Sequence, residues 1–379
     1  MDTTDKSIRF NKNGICNHCE KYEKKFLHIK ENKKYLENKF QEEIQRVKKE
    51  GKNRKYDCLI GLSGGLDSSF LTYLAWKNNL RTMIIHFDNG WDSELAVNNI
   101  ENIINTTGFD YYNYIVDWEE FKDLQLSYLK ASVLDVEVPT DLAIYGLIPK
   151  MALKYGVKNI FSGNNPVTET TMPSSWIFEN KSDYSNLFGI HKRYGSVSLK
   201  TFPYYSYLDQ FFFVTINKIK TVKPLPDLNF SYSDMKKILR DEFNWRDYDM
   251  KHGESIFTKF YQSYILPKKF NIDKRRAHLS DMINAKQISR DEAINFLNDN
   301  PPSSLLSENE IDYVIRKLGL SKNDFNKIMS LPIRSHYDFP IAKKHGNVII
   351  YFILITIYNV YKIIKPFRDK MRFKPPHNV

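Results

Sequence analysis

Between an apolar run, Tyr56-Asp57-Cys58-Leu59-Ile60-Gly61-Leu62, and a segment of helical apolar spacing, Ser69–Trp76, stands Ser63-Gly64-Gly65-Leu66-Asp67-Ser68. That order predicts a buried strand, a tight turn and a helix. A helix entered in this way carries its unpaired backbone N–H groups, and the positive end of its dipole, at the turn, where an anion is favoured. Gly64 and Gly65 let the backbone approach such an anion, since no Cβ intervenes. Ser63 and Ser68 add hydroxyl donors, and Asp67 offers a carboxylate to a Mg²⁺ riding on phosphates. No Gly-Lys-Ser/Thr follows, so the turn is not the kind that grips a γ-phosphate.

The unit is the first of a series. Leu80–Phe87 reads as a second strand and Ser93–Thr107 as a helix ended by Gly108. Tyr111–Val116 reads as a third strand and Glu119–Ser132 as an amphipathic helix. Asp141–Tyr155 reads as a helix capped by Thr140 and closed by Gly156, with Lys158–Phe161 a fourth strand. Such alternation predicts an α/β fold, a doubly wound parallel sheet with ligands bound past the carboxyl ends of its strands. Those ends would gather Ser63–Ser68, Asp88-Asn89-Gly90-Trp91 and Ser162-Gly163-Asn164-Asn165 around one crevice. There Asp88 would orient Mg²⁺ or read a ribose. Trp91 would stack on a base or sugar, or else serve as a core aromatic.

Ahead of the sheet, Leu36, Phe40, Ile44 and Val47 mark an amphipathic helix within residues 29–50. Past residue 200 the texture turns aromatic, with a helix expected over Asp209–Lys220 and a joint at 223–228. Helical patterns follow at Asp234–Glu242, Ser255–Tyr264, His278–Asn284, Arg290–Leu297 and Glu308–Leu318. The chain therefore divides into an N-terminal segment (1–50), a nucleotide domain (51–225) and a helical region (226–379).

An excess of 56 Lys and Arg over 45 Asp and Glu, net +11, suits polyanionic company or a solvated lysine face. Three cysteines argue for a reducing, cytoplasmic setting rather than a disulfide framework. Asp2–Asp5 stand where a secretory signal would need apolar residues. Cys16-Asn17-His18-Cys19 has the spacing of half a structural zinc site, which needs four ligands. Cys58, inside the first strand, reads as a small core residue. Val348–Tyr358 is the strongest apolar stretch, short of the about twenty residues a spanning helix needs. It reads as a buried terminal helix; contact with an acidic membrane surface through Lys362, Lys365, Arg368, Lys370 and Arg372 is the alternative.

The glycine turn resembles the PP-loop of the ATP pyrophosphatases, which hold the departing pyrophosphate while the α-phosphorus of ATP is attacked. Longer blocks resemble the N-acetyl sugar amidotransferases of bacterial surface-polysaccharide synthesis. They are Asp88–Ala96, Val116–Gln125, Glu137–Asp141, Ser162–Asn165, Lys251–Gln262 and Lys269–Ser280. The resemblance implies an enzyme that uses ATP to turn an N-acetyl group of a nucleotide-linked sugar into an acetamidino group, with AMP and pyrophosphate released. Ser63, Gly64, Gly65, Leu66, Asp67, Ser68, Asp88, Gly163 and Asn164 would then hold ATP and Mg²⁺. Trp91, Asp141, Asn165, Lys251, Glu254, Lys274 and Arg275 would face the sugar. Asp67, Ser68, Asp88 and His252 would serve the chemistry, His252 as a proton shuttle. Cys16 and Cys19 would be zinc ligands. No Cys/His/Glu triad spacing of a glutaminase is found, so a separate glutaminase and a cyclase-like barrel subunit are the implied ammonia source, and no nucleic acid is expected. The competing expectations are a PP-loop tRNA-modifying ligase and a non-catalytic nucleotide-binding scaffold.

Overall fold

A computed structural model describes residues 1–342 except 32, 166–168, 229 and 249, and beyond them only Ile353, Thr356 and Val360. The helices α1 (Asn17–Glu31) and α2 (Lys33–Gly51) lead into the first strand unit: β1 (Cys58–Gly61), α3 (Leu66–Lys77) and β2 (Thr82–Asp88). There follow α4 (Glu94–Thr107), β3 (Asp110–Ile115), α5 (Trp118–Ala131), α6 (Val138–Lys154) and β4 (Asn159–Phe161). Next come α7 (Tyr184–Tyr194), α8 (Tyr207–Phe211) and a last strand, β5 (Lys220–Val222). The remainder is helical: α9 (Tyr232–Phe243), α10 (Ile256–Phe260), α11 (Arg275–Asn284), α12 (Arg290–Asp299), α13 (Glu308–Lys317) and α14 (Lys322–Ser330).

The strands lie in the order β3-β2-β1-β4-β5, every pair parallel. Cys58 faces Thr82 across β1–β2, and Leu59 faces Ile160 across β1–β4. The chain moves outward from β1 through β2 to β3 and then returns to the other side as β4. The order thus reverses between β1 and β4, the place where open parallel sheets bind ligands. β1 is buried along Cys58, Leu59 and Ile60, as expected of a central strand covered on both faces.

One face of the sheet packs Ile60, Leu62 and Ile84 against Phe70, Leu71 and Leu74 of α3, Ile103 of α4 and Leu239 and Phe243 of α9. The other packs Leu59, Met83 and Ile85 against Leu147 and Met151 of α6. A third core joins α5, α7, α10, α13 and α14 around Phe121, Leu187, Phe257, Phe260, Val314 and Phe325. Ser93 caps α4 by accepting from the Ala96 N–H at 3.2 Å, and Gly108 ends it at φ 65°.

The structure departs from the sequence reading in three places. β5 falls at the end of the helix expected over Asp209–Lys220, which is instead α8 and a π-helical turn, Phe212–Ile216. A three-residue strand is too short to show a period, and aromatic residues suit either state. Thr140 lies within the first turn of α6, whose cap is Glu137. The helix expected to end at Tyr264 continues from α10 as a π-helix, Tyr261–Phe270, that carries Pro267. The apolar stretch Val348–Tyr358 lies outside the described residues apart from Ile353 and Thr356. Among the described residues no helix is long and apolar enough to cross a membrane.

Candidate functional site

The turn after β1 sits at the reversal of strand order. Gly65 precedes α3 in extended conformation (φ −70°, ψ 164°), and no side chain caps the helix. The first N–H groups of α3 therefore remain available to a ligand. Ser63 and Ser68 brace the turn: their hydroxyls are 3.1 Å apart, and the Ser63 N–H donates to Ser68 Oγ at 3.2 Å. The Gly65 N–H donates to Ser63 Oγ at 3.3 Å. Gly64 needs to be glycine, because its φ is +78° and a Cβ would stand 2.8 Å from the Ala96 carbonyl oxygen.

The helical region closes the site from the other side. The Trp245 indole N–H and the Tyr248 hydroxyl both donate to the Gly64 carbonyl, at 2.9 and 3.0 Å. The Ser93 N–H donates to the Glu254 carbonyl at 2.9 Å, and the Ile256 N–H to the Trp91 carbonyl at 2.8 Å. Glu254 is thereby held with its carboxylate beside Gly65, 2.8 Å from where a Cβ there would stand.

Between the two walls lies a cavity of about 660 Å³. Its lining includes Ser63, Gly65, Asp67 and Ser68 from the loop, Gly163 and Asn164 after β4, and Lys251, His252 and Glu254. Arg275 and His278 of α11 and Phe296 of α12 line its far end. At about 660 Å³ it has room for a ligand the size of a nucleotide.

Charge in the cavity is unevenly matched. Lys251 pairs with Glu169 at 2.7 Å, Lys236 with Asp247 at 2.7 Å, and Arg275 with Asp273 at 2.7 Å. The cations on the wall are thus already engaged, while Asp67 and Glu254 flank the loop. Burial pushes the Asp67 carboxyl up to about 6, with Glu169 adding to it and Lys251, Asn165 and His252 opposing. Burial would raise Glu254 too, but the His252 hydrogen bond and charge, with Lys251, hold it below the usual carboxylate range. Two carboxylates beside orphan helix N–H groups suit a polyphosphate accompanied by a divalent cation. A polyphosphate alone would meet repulsion from them. Burial, then Lys251, His252 and Lys274, keep the His278 imidazole neutral well below its ordinary range.

The structure separates the residues that sequence grouped. Ser63, Gly65, Leu66, Asp67, Ser68, Gly163, Asn164, Lys251, His252, Glu254 and Arg275 line the cavity. Gly64 shapes it from behind, and Asn165 Nδ2 donates to Asp67 Oδ1 at 3.3 Å. Asp88 lies outside the lining, its carboxylate accepting the Gly90 N–H at 2.8 Å. Trp91 is not a stacking platform. It is fully buried, donates its indole N–H to Gln125 at 2.8 Å and packs against Trp118 and Phe257.

Asp141 and Lys274 belong elsewhere, to a second cluster with Asp135, Glu137 and Lys181. Lys181 bridges Asp135 and Asp141 at 2.8 and 2.7 Å. Glu169, Tyr232, Trp245 and Tyr248 carry no motif that singles them out in the sequence, and His278, though inside the Lys269–Ser280 block, has no site role assigned there; all five line the cavity. Cys16 and Cys19 do meet, Sγ to Sγ at 3.4 Å, but His18 is turned to Asp5 at 2.6 Å. Among the described residues no group of three or more His, Cys, Asp or Glu could hold a metal, so the expected zinc set is incomplete.

Residues 254–351 match the family described as LPS biosynthesis protein WbpG-like, C-terminal domain. The match is confined to that segment and agrees with the family resemblance drawn from the sequence; it begins at Glu254, the residue beside the loop. No curated protein matches the chain. Among solved structures, an NMN synthetase from Francisella tularensis is similar at 12% identity and a TM-score of 0.36, over 79% of this chain and 98% of that one. An NH3-dependent NAD synthetase from Campylobacter jejuni is similar at 12% identity and a TM-score of 0.33, over the same shares, 79% and 98%. A predicted subunit of a tRNA methyltransferase from Methanocaldococcus jannaschii reaches 15% identity and a TM-score of 0.26, over 48% of this chain and 75% of that one. Scores this low assign neither fold nor activity; the fold rests on the strand order and register described above.

Proposed function

We propose that the cavity binds ATP and presents its α-phosphate to the N-acetyl group of a nucleotide-linked sugar, whose amide oxygen is replaced by nitrogen. The observation that carries this reading is the uncapped helix turn at the strand reversal, opening into a cavity lined in part by the segment that matches the LPS-biosynthesis family. An amide carbonyl is a poor electrophile, so ammonia does not displace its oxygen unaided. Attack of the amide oxygen on the α-phosphorus gives an O-adenylyl imidate and releases pyrophosphate. Ammonia adds to the activated carbon, a proton is shed, and AMP leaves with the oxygen, giving the acetamidine.

In this reading Ser63, Gly65 and Ser68 with the first N–H groups of α3 receive the leaving pyrophosphate, where negative charge develops. Mg²⁺, held by Asp67 with Glu254 close by, would offset phosphate charge. Lys251, fixed by Glu169 and the Tyr232 hydroxyl (3.3 Å), is placed to steady the α-phosphate region. The His252 ring, 5.8 Å from that of His278, is placed to take the shed proton. Ammonia is proposed to come from a separate glutaminase.

The test supplies ATP, an ammonium salt and a panel of N-acetylated nucleotide-sugars to the full chain. AMP and pyrophosphate should appear with a product about one mass unit lighter, as expected when NH replaces O. ADP in place of AMP, or nucleotide turnover with no change in any sugar, would overturn the reading.

A further inference from the structure

Lys251 stands on neither a helix nor a strand but in a turn between α9 and α10, so its ammonium depends on its partners for direction. Of its three donors, one goes to Glu169 at 2.7 Å and one to the Tyr232 hydroxyl at 3.3 Å. Among the described residues nothing takes the third, and Lys251 lines the cavity. The aim of that third donor is therefore set by where Glu169 and Tyr232 are held.

Tyr232 begins α9, but Glu169 has no element of its own, since residues 169–172 form neither helix nor strand. What holds this stretch is Asp281 of α11. Its Oδ2 accepts the Thr170 N–H at 2.8 Å, and the Thr171 N–H donates to Oδ1 and Oδ2 at 3.0 and 2.9 Å. The Asp281 side chain is fully buried and forms no salt bridge among the described residues. A carboxylate withdrawn from water is costly unless its oxygens are hydrogen-bonded. Here the bonds come from the backbone next to Glu169, so the stretch cannot shift without uncovering a buried charge.

We propose that Asp281 is a positioning residue for the nucleotide site. It fixes Thr170 and Thr171, these fix Glu169, and Glu169 aims the Lys251 ammonium at the phosphates. Asp281 lies outside the cavity lining, so it acts only through that chain of contacts. The inference rests on the reading that the cavity binds ATP. Asparagine has the right size for position 281 but offers one acceptor oxygen in place of two, and its amide N–H group would oppose a backbone N–H. The substitution should loosen the stretch without removing anything that touches the ligand.

The test is calorimetric titration of the full chain with Mg²⁺ and α,β-methylene ATP, which cannot be cleaved to AMP. Lys251→Met should weaken binding at least about tenfold, as loss of a charge-assisted hydrogen bond does. Asp281→Asn and Glu169→Gln should each weaken it about fivefold in the wild-type background, and less than about twofold in a Lys251→Met chain. A residue that only supported the fold would act equally in both backgrounds. Asp281→Glu keeps the carboxylate but displaces it by one methylene; it should give the same pattern and stands in if Asp281→Asn does not fold. Equal losses in both backgrounds, or no loss from the Asp281 variants, overturn the proposal. AMP formation with the acceptor panel is read on the wild type. The predicted pattern without AMP defeats the reaction alone, and AMP with equal losses defeats this inference alone. No binding of the analogue to the wild type overturns both.

Discussion

The phosphate loop and the Glu137 cluster lie at the carboxyl end of one sheet, ahead of helices on its two opposite faces, and they are made of opposite materials. The loop offers backbone: glycines, bracing serines and uncapped N–H groups of α3, with two carboxylates at its rim. The cluster offers side chains, three carboxylates against two lysines, about the first turn of α6. A backbone site takes an anion by shape and dipole, and is intolerant of any added Cβ. A side-chain cluster balances its charge by pairing and by protonation, and tolerates an isosteric change that keeps its volume. That difference decides which substitutions should break each.

The largest effect is expected at Asp67. With its carboxyl raised from 3.8 to about 6 by burial, the folded protein holds a proton more tightly than the unfolded chain. The resulting penalty grows between those two values as pH rises and is complete above the upper one. Asp67→Asn should therefore stabilise the metal-free protein at pH 7 by as much as about 3 kcal/mol, measured by denaturant unfolding. The same substitution should cut AMP formation at least about a hundredfold, as loss of a group that offsets developing charge does. Loss of stability together with activity would make Asp67 a structural residue and erase the contrast.

Next come the two glycines, which separate shape from charge. Gly64→Ala forces a side chain at φ +78° against the backbone oxygen of Ala96, 2.8 Å away. It should cost about 2 kcal/mol of unfolding free energy. Gly65→Ala meets only the far end of Glu254 and keeps an ordinary φ of −70°. It should leave the unfolding free energy within about 1 kcal/mol of wild type while AMP formation falls. Equal destabilisation by both would mean that Glu254 has no freedom to move.

These expectations also mark what a sequence can disclose. The loop was legible because an apolar strand, two glycines and a following helical run are all local signals, whereas the β1–β4 reversal is set by long-range strand pairing. Trp91 was not legible, since a tryptophan after a strand suits a ligand face or a core equally. Only the packing of α5 and α10 around it decides for the core. The two donors to the Gly64 carbonyl, Trp245 and Tyr248, come from 181 and 184 residues away, beyond any local pattern. The cluster shows the same limit more sharply. Asp141 and Lys274 looked like substrate contacts because each sits in a block that carries the family resemblance, yet neither lines the cavity, and the ion pairs of Lys181 draw Asp141 to Asp135 instead.

A finer test of the side-chain site uses pH. The folded-state carboxyl of Glu137 lies near 8 against 4.5 unperturbed, so folding takes up a proton between those values and stability falls as pH rises. Its share of the slope is about 1.4 kcal/mol per pH unit across that window. The difference between wild type and Glu137→Gln, read from unfolding at pH 5.5 and 7.5, isolates it from other groups. A slope unchanged by the substitution would place the proton on another residue of the cluster.

The smallest effect is expected where the two halves of the phosphate site meet. The Tyr248 hydroxyl is one of two donors to the Gly64 carbonyl, at 3.0 Å, and the Trp245 indole is the other, at 2.9 Å. Tyr248→Phe keeps the ring and removes one donor, so the carbonyl stays satisfied and the cost should be about 1 kcal/mol. If these donors only support the fold, AMP formation at saturating ATP should be unchanged. If they set the angle at which the Gly64–Gly65 peptide faces the phosphates, kcat for AMP formation should drop while the unfolding midpoint barely moves. The second outcome is the one expected, because a backbone site owes its selectivity to the orientation of its N–H groups.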